Sequence, residues 1–280
     1  EENKDKTLEY RESQKKIMDE LIKNGQITRE QPYTRNSARS DVATRLYGVN
    51  TWANENDIDI VIHIHFNHYR GTKLNQRGKY SGLSIYVPES QYSNAKTSLS
   101  VTRSVYDQLT VFFAPSDLPL ESSGIIEDQD LISIGSFNTL DSVSMLIEYG
   151  YIYEGQFTEP EVRDVAMREL AQQTYNGIMN YFNNKEASKD IIASLPFQWN
   201  RDLYVGTKYS ADTYALQLFL TSQGLYPPKD KTKNDCPISG YFGNCTQASV
   251  KQFQKDNNIE PASGRFGILT RTKADELYTQ

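Results

Sequence analysis

Hydrophobic positions along the chain keep to two periods, and the clearest change of period lies between residues 57 and 69. There the run Asp-Ile-Asp-Ile-Val-Ile-His-Ile-His-Phe-Asn-His-Tyr alternates apolar and polar positions, as a strand does when successive side chains take opposite faces. Ile58, Ile60, Ile62, Ile64 and Phe66 fall on one face; Asp59, Val61, His63, His65 and Asn67 fall on the other. Leu83 to Val87, closed by Pro88, and Ser144 to Tyr149 read as two more apolar strands. Steps of three and four predict helices between them. One covers 5–24, through Tyr10, Ile17, Met18, Leu21 and Ile22, and stops at Asn24-Gly25. A second is capped at Asn36 or Ser37 and carries Val42, Ala43, Leu46, Val49, Trp52 and Ala53 as its apolar stripe. Others cover about 94–112, through Leu99, Val105, Leu109 and Phe112, and 161–182, through Val165, Leu170, Thr174, Ile178 and Phe182. Residues 114–142 read as turns and short strands, and the basic stretch 71–79 as a loop bordering the strand's end. Helices alternating with apolar strands predict an α/β layered fold.

The character changes after residue 183. A mixed, polar segment over 184–204 reads as a linker. Three short helical patterns follow, beginning at Asp212, Thr246 and Thr270, and predict a small all-α three-helix bundle over 205–280. The expected organisation is therefore a sheet domain over 1–183, the linker, and the bundle.

Composition narrows the partners. The net charge of -6 argues against nucleic acid, because phosphate binding needs clustered Lys and Arg. No apolar run approaches the roughly 20 residues that span a bilayer. Nineteen tyrosines offer flat apolar bodies with polar tips, suited to sugar and peptide contacts and equally to half-buried sheets. Cys236 and Cys245 bracket a Pro- and Gly-containing loop without further zinc donors nearby. Two readings stand, a short-loop disulfide in an oxidising, extracytoplasmic compartment or a pair of half-buried free thiols; the disulfide is the expectation.

Two positions carry candidate chemistry. All three histidines sit in one run, at His63, His65 and His68. A strand gains nothing from histidine as a hydrophobe, so the pair His63 and His65 is either a hydrogen-bonded pair or a source of metal ligands. Glu148 lies inside the apolar run Ser-Met-Leu-Ile-Glu-Tyr-Gly. A carboxylate there needs a salt bridge, a proton or a metal beside it.

These residues, with Tyr33-Thr34-Arg35, Arg45, Trp52-Ala53-Asn54, Gly82 to Val87 and Met145 to Tyr151, resemble the zinc-dependent N-acetylmuramoyl-L-alanine amidases of the amidase-3 type over roughly 33–183. The resemblance implies a twisted, mostly parallel sheet flanked by helices, with zinc at the strands' carboxyl ends. It implies His65 as a zinc ligand, Glu148 as the carboxylate assisting water attack and proton transfer, and His63 as a supporting residue or alternative ligand. His68 is expected at the cleft rim. The segment 208–280 resembles the peptidoglycan-binding-1 module through Leu216-Gln217, Gly240 to Gly243, Val250 to Gln254, Ser263-Gly264, Gly267 and Thr270. Together they imply an extracytoplasmic, wall-anchored peptidoglycan hydrolase. One departure stands against this. The family's Gly-His zinc motif has no counterpart here, and Glu9, at about the distance of a ligating glutamate, reads as solvated. The expectation is either that the first strand lies upstream of residue 1, or that the chain is a catalytically inactive, peptidoglycan-binding relative.

Overall fold

A computed structural model describes residues 4–29, 38–73, 78–189 and 198–278. The chain runs α1 (Lys4–Lys23), α2 (Ser40–Glu55), β1 (Ile60–Asn67), β2 (Ser84–Pro88), α3 (Ala95–Phe112), β3 (Ile125–Asp128), β4 (Val143–Tyr151), α4 (Gly155–Thr158), α5 (Pro160–Asn183), α6 (Ala211–Ser222), α7 (Asn244–Asp256) and α8 (Ile268–Tyr278). The four strands form one sheet in the order β1-β4-β2-β3. β1 pairs β4 and β2 pairs β3 in parallel, while β2 and β4 run antiparallel. The sheet is mixed α/β and mostly parallel.

Two layers cover it. Ile85, Met145, Ile147 and Tyr149 bury one face against Val101, Val105 and Leu109 of α3 and Leu170 of α5. Those helices cross closely because position 177 is glycine: a Cβ there would meet the Val105 Cα at 2.5 Å. The Ser104 hydroxyl donates to the Gly177 carbonyl across the crossing, at 2.7 Å. On the other face Tyr86 and Leu146 pack against Ile126 and Ile134. Gly82, with φ +91°, lets the backbone at Pro115 approach to 2.3 Å of where a Cβ would stand, and Leu83 bridges to Pro115 there.

Some expected faces turn out differently. Val42, Val49 and Trp52 of the α2 stripe are exposed, and Tyr47, Asn50 and Ala53 are the buried positions. The face is set by polar partners: the Asn50 amide donates to the Ile132 carbonyl at 2.8 Å and to the Thr139 hydroxyl at 3.1 Å. On α5, Phe182 is exposed, and the buried line runs through Val162, Ala166, Glu169, Leu170 and Gln173. Ile64 on β1 is 67% exposed, although Ile62 and Phe66 on the same face pack against the core. The expected cap at Asn36 or Ser37 lies outside the described residues.

The C-terminal helices pack around Tyr214, Leu218, Phe219, Phe242, Phe253 and Phe266. Trp199 and Leu203, from the stretch expected as linker, belong to this core, and so do Phe112, Val162 and Ala166 of the sheet domain. The bundle is seated on α3 and α5. Its fold uses one device twice. Gln217, buried in α6, accepts from the Ser239 and Gly240 amides at 3.0 and 2.9 Å and donates to the Tyr241 carbonyl and Thr246 hydroxyl, both at 3.0 Å. Gln254 in α7 accepts from the Gly264 amide at 2.8 Å and donates to the Arg265 carbonyl and Thr270 hydroxyl, at 2.8 and 2.9 Å. The matching loops, Gly-Tyr-Phe-Gly-Asn-Cys-Thr from 240 and Gly-Arg-Phe-Gly-Ile-Leu-Thr from 264, are an internal repeat.

Cys236 and Cys245 are bonded, tying the α6–α7 connection to the first turn of α7. Closing so short a loop is worth about 2–3 kcal/mol on the chain-entropy model. Reduction is therefore expected to lower the melting temperature, measured by calorimetry with and without reductant. An unchanged melting temperature would remove the bond from the stability of the module.

Candidate functional site

The parallel pairing of β1 and β4 decides what stands beside the histidines. In register, His63 lies opposite Leu146 and His65 opposite Glu148. Directly paired residues share a face, so His63, His65, Leu146 and Glu148 line one side of the sheet. Ser84 and Tyr86 extend that surface, since they pair with Glu148 and Leu146 from β2. The sequence alone gives each strand's alternation; the register brings His65 and Glu148 together.

The two imidazoles differ. His65 is exposed at the carboxyl end of β1, while His63 sits one pleat deeper and is half-buried. Their ring centroids are 6.3 Å apart, edge to face. Burial lowers the pKa of His63, with the neighbouring His65 adding to the effect, and burial also lowers that of His65. Both are therefore neutral near pH 7, the form that binds metals or takes up a proton. The buried Nε2 of His63 has no hydrogen-bond partner among the described residues. At this separation the two rings do not hydrogen-bond to each other.

A cleft of about 1000 Å³, open to solvent, forms over this surface between α2, the β1 end and the segment after β3. His65, Asn67, His68, Tyr86 and Glu148 line it, so His68 does stand at the rim. Its ring meets Tyr153 edge to face, with centroids 6.3 Å apart.

One residue of the site lay hidden in the sequence. Glu121, in the turn after α3, is completely buried. Its carboxyl accepts from the Asn67 amide at 3.1 Å, the Tyr86 hydroxyl at 2.8 Å and the Ser116 hydroxyl at 2.6 Å. Asn67 in turn accepts from the His68 backbone amide at 2.8 Å. Glu121 thus fixes the end of the histidine strand. Read alone, Asp-Leu-Pro-Leu-Glu looks like a solvated turn; the available signal is a polar Asn67 ending an apolar strand, whose amide needs a partner once buried.

A catalytic zinc takes three protein ligands and keeps one position open. Among the described residues no group of three or more His, Cys, Asp or Glu side chains could hold a metal ion, and Glu9 is exposed on α1. The described site falls short of that donor set. Equilibrium dialysis against zinc, followed by elemental analysis, is expected to leave well under one equivalent on the chain. Tight, stoichiometric zinc would show that His63 or Glu9 ligates after all.

Fold and site together define a layered α/β domain with a His–Glu pair at the carboxyl ends of two parallel strands, joined to a small helical module. Residues 209–273 match the family model described as a putative peptidoglycan binding domain. No curated protein matches the chain. Similar solved structures include the N-acetylmuramyl-L-alanine amidase Ami1 from Mycobacterium smegmatis, at 18% identity and a TM-score of 0.39, over 49% of this chain and 59% of that one. The apo form of Ami1 from Mycobacterium abscessus shows 20% identity and a TM-score of 0.38, over 50% of this chain and 61% of that one. The CwlD amidase from Clostridioides difficile, in complex with the GerS lipoprotein, shows 14% identity and a TM-score of 0.35, over 59% and 81%. The chain thus spans about three fifths of the length of the two mycobacterial enzymes. No helix among the described residues is long and apolar enough to cross a membrane.

Proposed function

We propose that the chain is a peptidoglycan hydrolase of the N-acetylmuramoyl-L-alanine amidase type, acting outside the cytoplasm and held on the wall by its C-terminal module. The observation that carries the hydrolase reading is the pairing of His65 with Glu148 on one face of β1 and β4, within the blocks that resemble the amidases. The match over 209–273 supports peptidoglycan as the partner. The bond cut is the amide between N-acetylmuramic acid and the L-alanine of the stem peptide. In this reading Glu148 takes a proton from the attacking water and delivers it to the leaving amine. The resemblance implies a zinc on His65, with His63 behind it, and the described residues fall short of the remaining donors.

The test incubates the full chain with purified sacculi in excess zinc, because an incomplete donor set binds weakly. Cosedimentation reads the module, and mass spectrometry of the supernatant reads freed stem peptides. Binding with release supports the proposal. Binding without release would make the chain a peptidoglycan-binding protein on an amidase scaffold. Chain left wholly in the supernatant would remove the wall-anchor role.

A further inference from the structure

A second, larger opening lies where the bundle is seated on the sheet domain. It measures about 1300 Å³, counting solvent at its mouth, and five of its lining residues are tyrosines. Both domains contribute. Tyr80 and Tyr153 come from the sheet domain; Tyr209 and Tyr241 come from the segment that matches the peptidoglycan-binding model.

The tyrosine rings are held in place. Tyr209 and Tyr241 lie tilted against each other with centroids 5.3 Å apart, and Tyr241 is 43% exposed. Position 155 is glycine, and a Cβ there would strike the Tyr209 ring at 2.5 Å. Across the groove the Tyr153 hydroxyl donates to the Tyr80 carbonyl at 2.7 Å, and the Lys79 ammonium lies 4.9 Å from the Tyr80 ring centroid. Tyr153 is itself buried and acts as a support; Tyr80, Tyr209 and Tyr241 are the accessible aromatic faces with polar tips, which suit a ligand with one apolar and one hydroxylated side.

Charge selects among such ligands. Asp117, Glu159 and Asp235 line the groove, against Lys79 as the basic residue among the described ones; the Glu154 carboxyl is taken up by the Tyr151 and Gly82 amides and the Gln156 side chain. An anionic chain, such as a peptide rich in free carboxyls, would be repelled. A neutral polymer whose C–H faces stack on rings and whose hydroxyls and acetamides bond to carboxyls and amides would not.

The groove also adjoins the histidine cleft. His68 lines the cleft, Tyr153 lines the groove, and their rings touch edge to face. We propose that this inter-domain groove, walled by Tyr80, Tyr209 and Tyr241, binds a neutral amino-sugar chain. The proposal rests on the peptidoglycan reading and deepens it: the glycan strand lies between the domains, and its peptide-bearing side is presented towards His65 and Glu148. Binding and hydrolysis then share one polymer.

The test titrates the full chain with a β-1,4-linked N-acetylglucosamine hexamer, by calorimetry. The unsubstituted chain is expected to bind. Tyr209→Ala with Tyr241→Ala is expected to weaken binding about tenfold or more, as loss of two stacking faces should, while Tyr241→Phe keeps it. Melting curves check the fold, and the half-exposed Tyr241→Ala alone carries the test if the double variant does not fold. No binding by the unsubstituted chain, or equal binding by the alanine variants, overturns the groove. If that happens while sacculi are still bound and peptides still freed, the groove alone falls. If sacculi are ignored and no peptide is freed, the peptidoglycan reading falls with it.

Discussion

Glu148→Gln is expected to cut the release of stem peptide at least about a hundredfold, the usual range for losing a positioned acid–base group, while the chain still pellets with sacculi. Glutamine keeps the shape and the hydrogen-bonding reach of the side chain but cannot carry a proton. Glu148 stands on β4 in register with His65 and at the wall of the cleft, where its proton can reach a bound substrate. His65→Ala is the informative partner. It should lose release as Glu148→Gln does, and should also lose whatever zinc the chain retains, which Glu148→Gln should keep. Rates are read by chromatography of freed peptides and the metal by elemental analysis. Undiminished release from Glu148→Gln would remove the carboxylate from the chemistry, and undiminished release from His65→Ala would remove the zinc assignment.

Much of this site is legible in one dimension because its strands carry period-two patterns. Alternation over 57–69 places His63 and His65 on the polar face, and a glutamate inside an apolar run marks Glu148. Helix ends follow local chemistry too: the α3 pattern predicted from about 94 to 112 is observed as Ala95–Phe112. What the pattern lacks is knowledge of which faces have neighbours. Val49 and Trp52 complete an apolar stripe, yet α2 turns Asn50 inward, where Ile132 and Thr139 supply partners. Phe182 continues a stripe on a face that α5 leaves exposed, while its neighbour Tyr181 packs against the sheet-domain core. The register of β1 on β4, which joins residues more than 80 positions apart, is a tertiary fact. So is the repeated glutamine clamp of the bundle, whose signal, Gly-x-Phe-Gly-x-x-Thr occurring twice, is visible in the letters but gains meaning only with Gln217 and Gln254 in place.

Glu121 shows how far a residue without a pattern can matter, and Glu121→Ala is expected to destabilise the sheet domain by about 3–5 kcal/mol. Its carboxyl accepts from three buried donors, those of Asn67, Tyr86 and Ser116. Each donor stranded away from water costs about 1–3 kcal/mol, and the costs overlap because the three share one cavity. At 2–4 °C per kcal/mol for a chain of this order, the melting temperature should fall by roughly 10 °C. Glu121→Gln should be milder. Its amide oxygen can still serve Asn67 and Tyr86, and the Ser116 hydroxyl can rotate to accept from the new N–H. The site provides a second readout: Asn67 holds the His68 amide, so the alanine variant should disturb the histidine resonances of the folded protein more than the glutamine variant does. A melting temperature within a degree or two of the unsubstituted chain for Glu121→Ala would mean that water satisfies these donors and that Glu121 does not fix the strand end.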